Sequence, residues 1–149
     1  MTSRLSSLRL ATVLALAAGF GVAHADDSAA LAAAAKEPGA SVAASGLVYR
    51  SLKDGTGASP KATDTVKVNY KGTLPDGTKF DASADHGGPI TFPLNRVIPC
   101  WTEGVQKMKV GGQAKLTCPS AIAYGPRGAG GVIPPNATLV FEVELIAIN

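Results

Sequence analysis

Beyond the first 25 residues the chain carries seven aromatic side chains, Tyr49, Tyr70, Phe80, Phe92, Trp101, Tyr124 and Phe141. Gathered on one surface they would form an apolar cup for a ring-shaped ligand group; dispersed, they would simply dominate the packing of a core. Pattern alone leaves both readings open. Asp81 follows Phe80 directly, and it reads either as an ordinary turn carboxylate or as a polar group at the rim of such a cup. The rest of the chemical inventory is thin. The only histidines are His24 and His86, and the only cysteines are Cys100 and Cys118. A His/Cys zinc site or a Ser-His-Asp or Cys-His nucleophile is hard to assemble from that set. The glycine-rich run from Gly125 to Gly131 lacks the Lys-Ser/Thr ending of a phosphate loop and leads into Pro134-Pro135, so it is not read as one. Neither a metal nor a cofactor is expected.

These residues need elements to position them, and the sequence supplies strands. From Gly46 onward the texture is β-branched and aromatic, punctuated by Gly, Pro and Asp-Gly, which is the signature of short strands and turns. The spans 47–52, 65–74, 79–81, 90–94, 113–118 and 138–148 read as strands. Pro75-Asp76-Gly77-Thr78 reads as the turn of a hairpin, because Pro presets φ and Gly accepts a positive φ. Over residues 100–108, Trp101, Val105 and Met108 recur at helical spacing and make one apolar face of about two turns. In the last span Leu139, Phe141, Val143 and Leu145 alternate with Val140, Glu142 and Glu144, giving one face to a core and the other to water. The expected fold is α+β, an antiparallel sheet of five or six strands wrapped around one short α-helix. The stretch 125–136, rich in Gly and Pro, is long enough for a functional loop.

The chain has 149 residues, 17% charged and 46% hydrophobic, close to the composition of a single globular domain. Residues 1–25 combine a basic start (Arg4, Arg9), an apolar run from Leu10 to Val22 and the ending Ala23-His24-Ala25. That pattern is a secretory signal with cleavage expected after Ala25; its 13 apolar residues fall short of the roughly 20 that span a bilayer. Stable membrane insertion after cleavage is therefore not expected, and a bacterial periplasmic or secreted destination is. Removal of the signal leaves 12 basic and 11 acidic residues, a balance that argues against nucleic acid as a partner. Residues 26–45 are alanine-rich without a sustained amphipathic pattern and read as a flexible leader, with a domain over 46–149.

Several motifs stand in a fixed order across that domain: Val68-Asn69-Tyr70, Gly77 to Ser83, Val97-Ile98-Pro99-Cys100-Trp101-Thr102-Glu103-Gly104, Met108 to Gly112, Ala123-Tyr124-Gly125, and Ile133 to Leu145. On these residues the last hundred or so positions resemble the FKBP-type peptidyl-prolyl cis-trans isomerases, and within them the exported bacterial proteins similar to macrophage infectivity potentiators. Those relatives often carry a long helical dimerisation region, which residues 26–45 are too short to supply, so a monomer is expected.

The resemblance implies a proline-binding pocket formed by Tyr70, Phe80, Val97, Ile98, Trp101, Tyr124 and Phe141, with Asp81 at its rim. It implies that the Ile98 backbone N–H and the Tyr124 hydroxyl hold carbonyl groups, and that Val132 and Ile133 line a flap. Ile90 stands where many members have a pocket Phe, and His86 where an Arg commonly braces the aspartate. Substrates would be proline-containing polypeptides, and tacrolimus- or rapamycin-type macrolides possible inhibitors. A rival function is a proline-segment binding module or holdase chaperone with vestigial catalysis. Cys100 and Cys118 replace other residues usual in the family, and in an exported domain the joint replacement points to a disulfide; two buried free thiols are the alternative.

Overall fold

The computed structural model describes residues 22–149. The residues 1–21 of the expected signal lie outside the described ones, and Val22–Ala25 open a helix, α1 (Val22–Ala35). After it come β1 (Ala40–Val42), β2 (Val48–Lys53), β3 (Thr65–Thr73), β4 (Lys79–Ala82), β5 (Ile90–Pro93), α2 (Pro99–Val105), β6 (Gln113–Cys118) and β7 (Leu139–Ile148). The six strands expected from the alternation are present, and β1 is added to them. All pairings are antiparallel. The order is β1-β2-β6-β7-β3-β4, with β5 also on β3.

Strand β3 organises the site. One of its edges pairs along β7, with Tyr70 opposite Val143 and Gly72 opposite Phe141. Its other edge is shared end to end: Thr65 to Val68 pair with β5, and Lys71 to Thr73 with β4. Because side chains alternate along a strand, Val66, Val68 and Tyr70 of β3 and Leu139, Phe141, Val143 and Leu145 of β7 all point to one buried face. Helix α2 lies across that face and buries Cys100, Trp101, Gly104 and Val105, with Met108 just beyond its end also buried.

The leader expected to be flexible is instead structured. Alanine has the highest helix propensity, but so short a helix is marginal alone, and tertiary contacts hold it. Ala34 is buried, β1 pairs Ala40, Ser41 and Val42 with Arg50, Tyr49 and Val48, and Glu37 between them receives Arg50 Nη1 at 2.7 Å and Lys115 Nζ at 2.6 Å. Burial alone would raise the Glu37 carboxyl, but the Lys115 hydrogen bond outweighs it and, with Arg50, holds the carboxyl below its ordinary value.

Cys100 at the start of α2 and Cys118 at the end of β6 are joined as a disulfide, with Cα atoms 5.8 Å apart, inside the range such a bridge needs. Both are wholly buried. The bridge ties the helix bearing Trp101 to the strand that leads into the loop bearing Tyr124.

Candidate active site

Helix α2 begins at Pro99, whose fixed φ suits the first helical position and whose missing N–H costs nothing there. Ile98 caps it: its carbonyl accepts from the Trp101 and Thr102 amides at 2.9 and 3.2 Å. The start of the helix is also pinned from the side, since Thr102 Oγ1 donates to the Leu94 carbonyl at 2.7 Å. Trp101 is thereby fixed against the sheet, 4% exposed. Tyr70, Phe92 and Phe141 meet its ring nearly edge-on, with centroids 5.2, 5.6 and 5.4 Å away. Phe80 in turn stands edge-on to Phe141 at 5.5 Å. Such T-shaped contacts are a favourable geometry for aromatic pairs, and here they make a floor and walls.

Above that floor opens a cavity of about 450 Å³ lined by Tyr70, Phe80, Asp81, Phe92, Arg96, Val97, Ile98, Trp101, Tyr124 and Phe141. The eight residues expected to form the pocket and its rim, Tyr70, Phe80, Asp81, Val97, Ile98, Trp101, Tyr124 and Phe141, are all brought together here. Ile90, Val132, Ile133 and His86 are not among the lining residues. Ile90 packs against the core, and the ring that β5 delivers to the cavity is Phe92, two residues further along the same strand. Ile133 is buried in the core while its neighbour Val132 is 55% exposed, because the bridge between Ala129 and Ile133 folds the loop back on itself. Phe92, one of the seven aromatics that could wall such a cup, does line it, whereas sequence reasoning missed Arg96. The resemblance pointed to Ile90 as the pocket position of this strand, and nothing local marks Arg96.

His86 acts one step back from the cavity. Asp81 accepts three hydrogen bonds, from the Tyr70 hydroxyl at 2.6 Å, from His86 Nε2 at 2.8 Å and from the Ala82 amide at 2.9 Å. Partial burial on its own would raise the Asp81 carboxyl, but these donors outweigh it and hold the group below its ordinary value of 3.8. Desolvation, followed by the bond to Asp81, pushes the Tyr70 hydroxyl far up, so it stays a donor at any physiological pH. Tyr124 is raised too, by desolvation and by the Asp81 charge, and the residue as a whole is 40% exposed. The Ile98 amide makes no backbone hydrogen bond among the described residues, and the buried Trp101 Nε1 likewise finds no acceptor among them. No group of three or more His, Cys, Asp or Glu among the described residues is placed to hold a metal ion.

The cup therefore offers an apolar, aromatic interior with a few N–H and O–H donors and one internally satisfied carboxylate. Residues 57–146 match the family model for FKBP-type peptidyl-prolyl cis-trans isomerases. The chain belongs to this family. Among its FKBP relatives it is 64% identical over 119 residues to the FKBP-type peptidyl-prolyl cis-trans isomerase FkpA of Aeromonas hydrophila, covering 80% of this chain and 44% of that protein. It is 47% identical over 119 residues to outer membrane protein MIP of Legionella longbeachae, covering 80% and 51%. The crystal structure of FkpA from Escherichia coli superposes with a TM-score of 0.83 at 47% identity, over 86% of this chain and 60% of that one. A peptidyl-prolyl cis-trans isomerase from Pseudomonas syringae pv. tomato superposes with 0.81 at 40% identity, over 89% and 97%. The chain spans less than half the length of the FkpA relatives it matches.

Proposed function

We propose that the protein is a peptidyl-prolyl cis-trans isomerase acting on X-Pro bonds of exported polypeptides. The observation that carries this reading is the cavity floored by Trp101 and walled by Tyr70, Phe80, Phe92 and Phe141, of a size suited to a small ring and its flanking backbone. Resonance keeps a peptide bond planar behind a barrier of about 18–20 kcal/mol, so X-Pro bonds take tens to hundreds of seconds to turn. The twisted transition state has lost that resonance and its carbonyl is less polar than the planar one. An apolar, water-poor cup therefore disfavours the planar amide more than the twisted one, which is differential transition-state binding and needs neither nucleophile nor proton transfer.

In this reading the prolyl ring stacks on Trp101, and the Ile98 amide and the Tyr124 hydroxyl hold the flanking carbonyls. Asp81, braced by Tyr70 and His86, is a positioning carboxylate at the rim. Tacrolimus- or rapamycin-type macrolides, which present a ring amide and carbonyls to such a cup, act as inhibitors. The cup is complete within one chain, which supports action as a monomer. We take residues 1–25 as a signal removed after Ala25, residues 46–149 as the isomerase domain, and the destination as the periplasm or the medium; no helix among the described residues is long and apolar enough to cross a membrane. A protease-coupled assay on an Ala-Leu-Pro-Phe type peptide tests the reading. Acceleration over the spontaneous rate supports it, while peptide binding without acceleration would favour a holdase.

A further inference from the structure

Charge at the mouth of the cup is unevenly settled. Asp81 is satisfied by Tyr70, His86 and Ala82, and the nearby Lys79 and Asp85 pair with each other at 3.1 Å. Arg96 lines the same cavity, yet it takes part in none of the ion pairs among the described residues. Its place is fixed by its neighbours rather than by its own contacts. It ends the 3₁₀ turn Leu94–Arg96, whose Leu94 is fully buried, donates its amide to the Asp64 carbonyl at 2.9 Å and accepts Thr102 Oγ1 at 2.7 Å. A turn anchored on both sides thus holds at the cavity wall an exposed arginine that no carboxylate among the described residues pairs with. A guanidinium presents a planar fork of donors that matches a carboxylate.

We infer that Arg96 is a specificity-determining residue that favours proline segments carrying an Asp or Glu close to the X-Pro bond. This rests on the isomerase reading of the site and narrows its substrate class. An ion pair made at so exposed a position gains little, so the preference is modest, about two- to fivefold at low salt. It shrinks toward one at about 1 M salt, where the Debye length is about 3 Å.

The test uses the purified protein and a series of otherwise neutral proline peptides in which glutamate, glutamine or lysine occupies, in turn, each of the two positions on either side of the X-Pro pair. Quenching of Trp101, the chain's single tryptophan, reads affinity, and the coupled assay reads turnover. The expected result is tighter binding of glutamate over glutamine for at least one position, salt-sensitive, lost in Arg96→Gln, kept in Arg96→Lys, and turned into a preference for lysine peptides in Arg96→Glu. Equal affinities at every position, or a preference that survives Arg96→Gln, would overturn the inference. Glutamine peptides that bind without being isomerised would instead overturn the catalytic reading, with the charge preference still legible in the affinities.

Discussion

Gly72→Ala should damage the cup more than the fold. Gly72 sits on β3 directly opposite Phe141 of β7, under the edge-on contact between Phe80 and Phe141. A Cβ at this position would lie 2.5 Å from Phe80 Cζ, 2.8 Å from Phe80 Cε2 and 2.9 Å from Phe141 Cε1, against a comfortable carbon separation of about 3.5–4.0 Å. One ring must therefore move by about 1 Å. Phe141 is only 4% exposed and is backed by Leu116 across the sheet, whereas half-buried Phe80 borders open space, so Phe80 yields into the cavity. Overpacking costs about 1–3 kcal/mol, and the release of an in-strand glycine returns about 0.5–1 kcal/mol. The net loss of about 1 kcal/mol lowers the melting temperature by roughly 4–8 °C. Activity suffers more, since a misplacement of about 1 Å in a binding wall can cost up to about a hundredfold; kcat/KM should fall at least about tenfold. Thermal melts and the coupled peptide assay measure the two effects. Adding Phe80→Leu should recover stability relative to the sum of the single changes, because the clashing ring is gone. A Gly72→Ala protein with unchanged melting temperature and full kcat/KM would refute this packing argument.

Four further outcomes follow from the same geometry. Phe141→Leu removes a wall of the cup and should lower kcat/KM with the fold intact, while Tyr124→Phe removes one hydrogen-bond donor, an effect of about 0.5–1.5 kcal/mol; equal activity in both variants would contradict the site assignment. A carboxyl held below its ordinary value stabilises the folded state fully above that value and loses the contribution as pH falls through the depressed one. Asp81→Asn should accordingly flatten the stability profile below about pH 4, and superimposable acid unfolding curves would count against it. His86 Nε2 holds Asp81 at 2.8 Å, so His86→Ala should weaken affinity for a tacrolimus-type macrolide, and an affinity unchanged by the substitution would sever that coupling. The Cys100–Cys118 bridge, 18 residues apart, should contribute about 3 kcal/mol; native protein that takes up two alkyl groups without reductant would show it absent.

Much of this site is legible in the sequence, for reasons particular residues make plain. The alternation Leu139, Phe141, Val143, Leu145 is a local signal that survives in β7 because one face meets the core and the other water. Trp101, Val105 and Met108 are likewise buried together, as their spacing required. What escaped was set by contacts distant in sequence. No window around residues 26–45 reveals that Glu37 will meet Arg50 and Lys115, 13 and 78 residues away, and without those partners an alanine run reads as a loose leader. The displacement from Ile90 to Phe92 has the same origin: the register of β5 on β3, with Phe92 opposite Val66, decides which ring reaches Trp101. Arg96 went unnoticed because an exposed arginine is ordinary until a neighbouring cavity gives it a direction.

The central claim is that an aromatic cup built on Trp101 turns X-Pro bonds without covalent chemistry. Exchange NMR on an X-Pro peptide tests it most directly, because cis and trans signals of the same molecule report the turning rate with no coupling protease present. Catalytic amounts of the protein should raise the exchange rate above the spontaneous one without shifting the cis/trans ratio, and excess macrolide should return it to the spontaneous value. An exchange rate that stays at the spontaneous value while the peptide demonstrably occupies the cup would contradict the account.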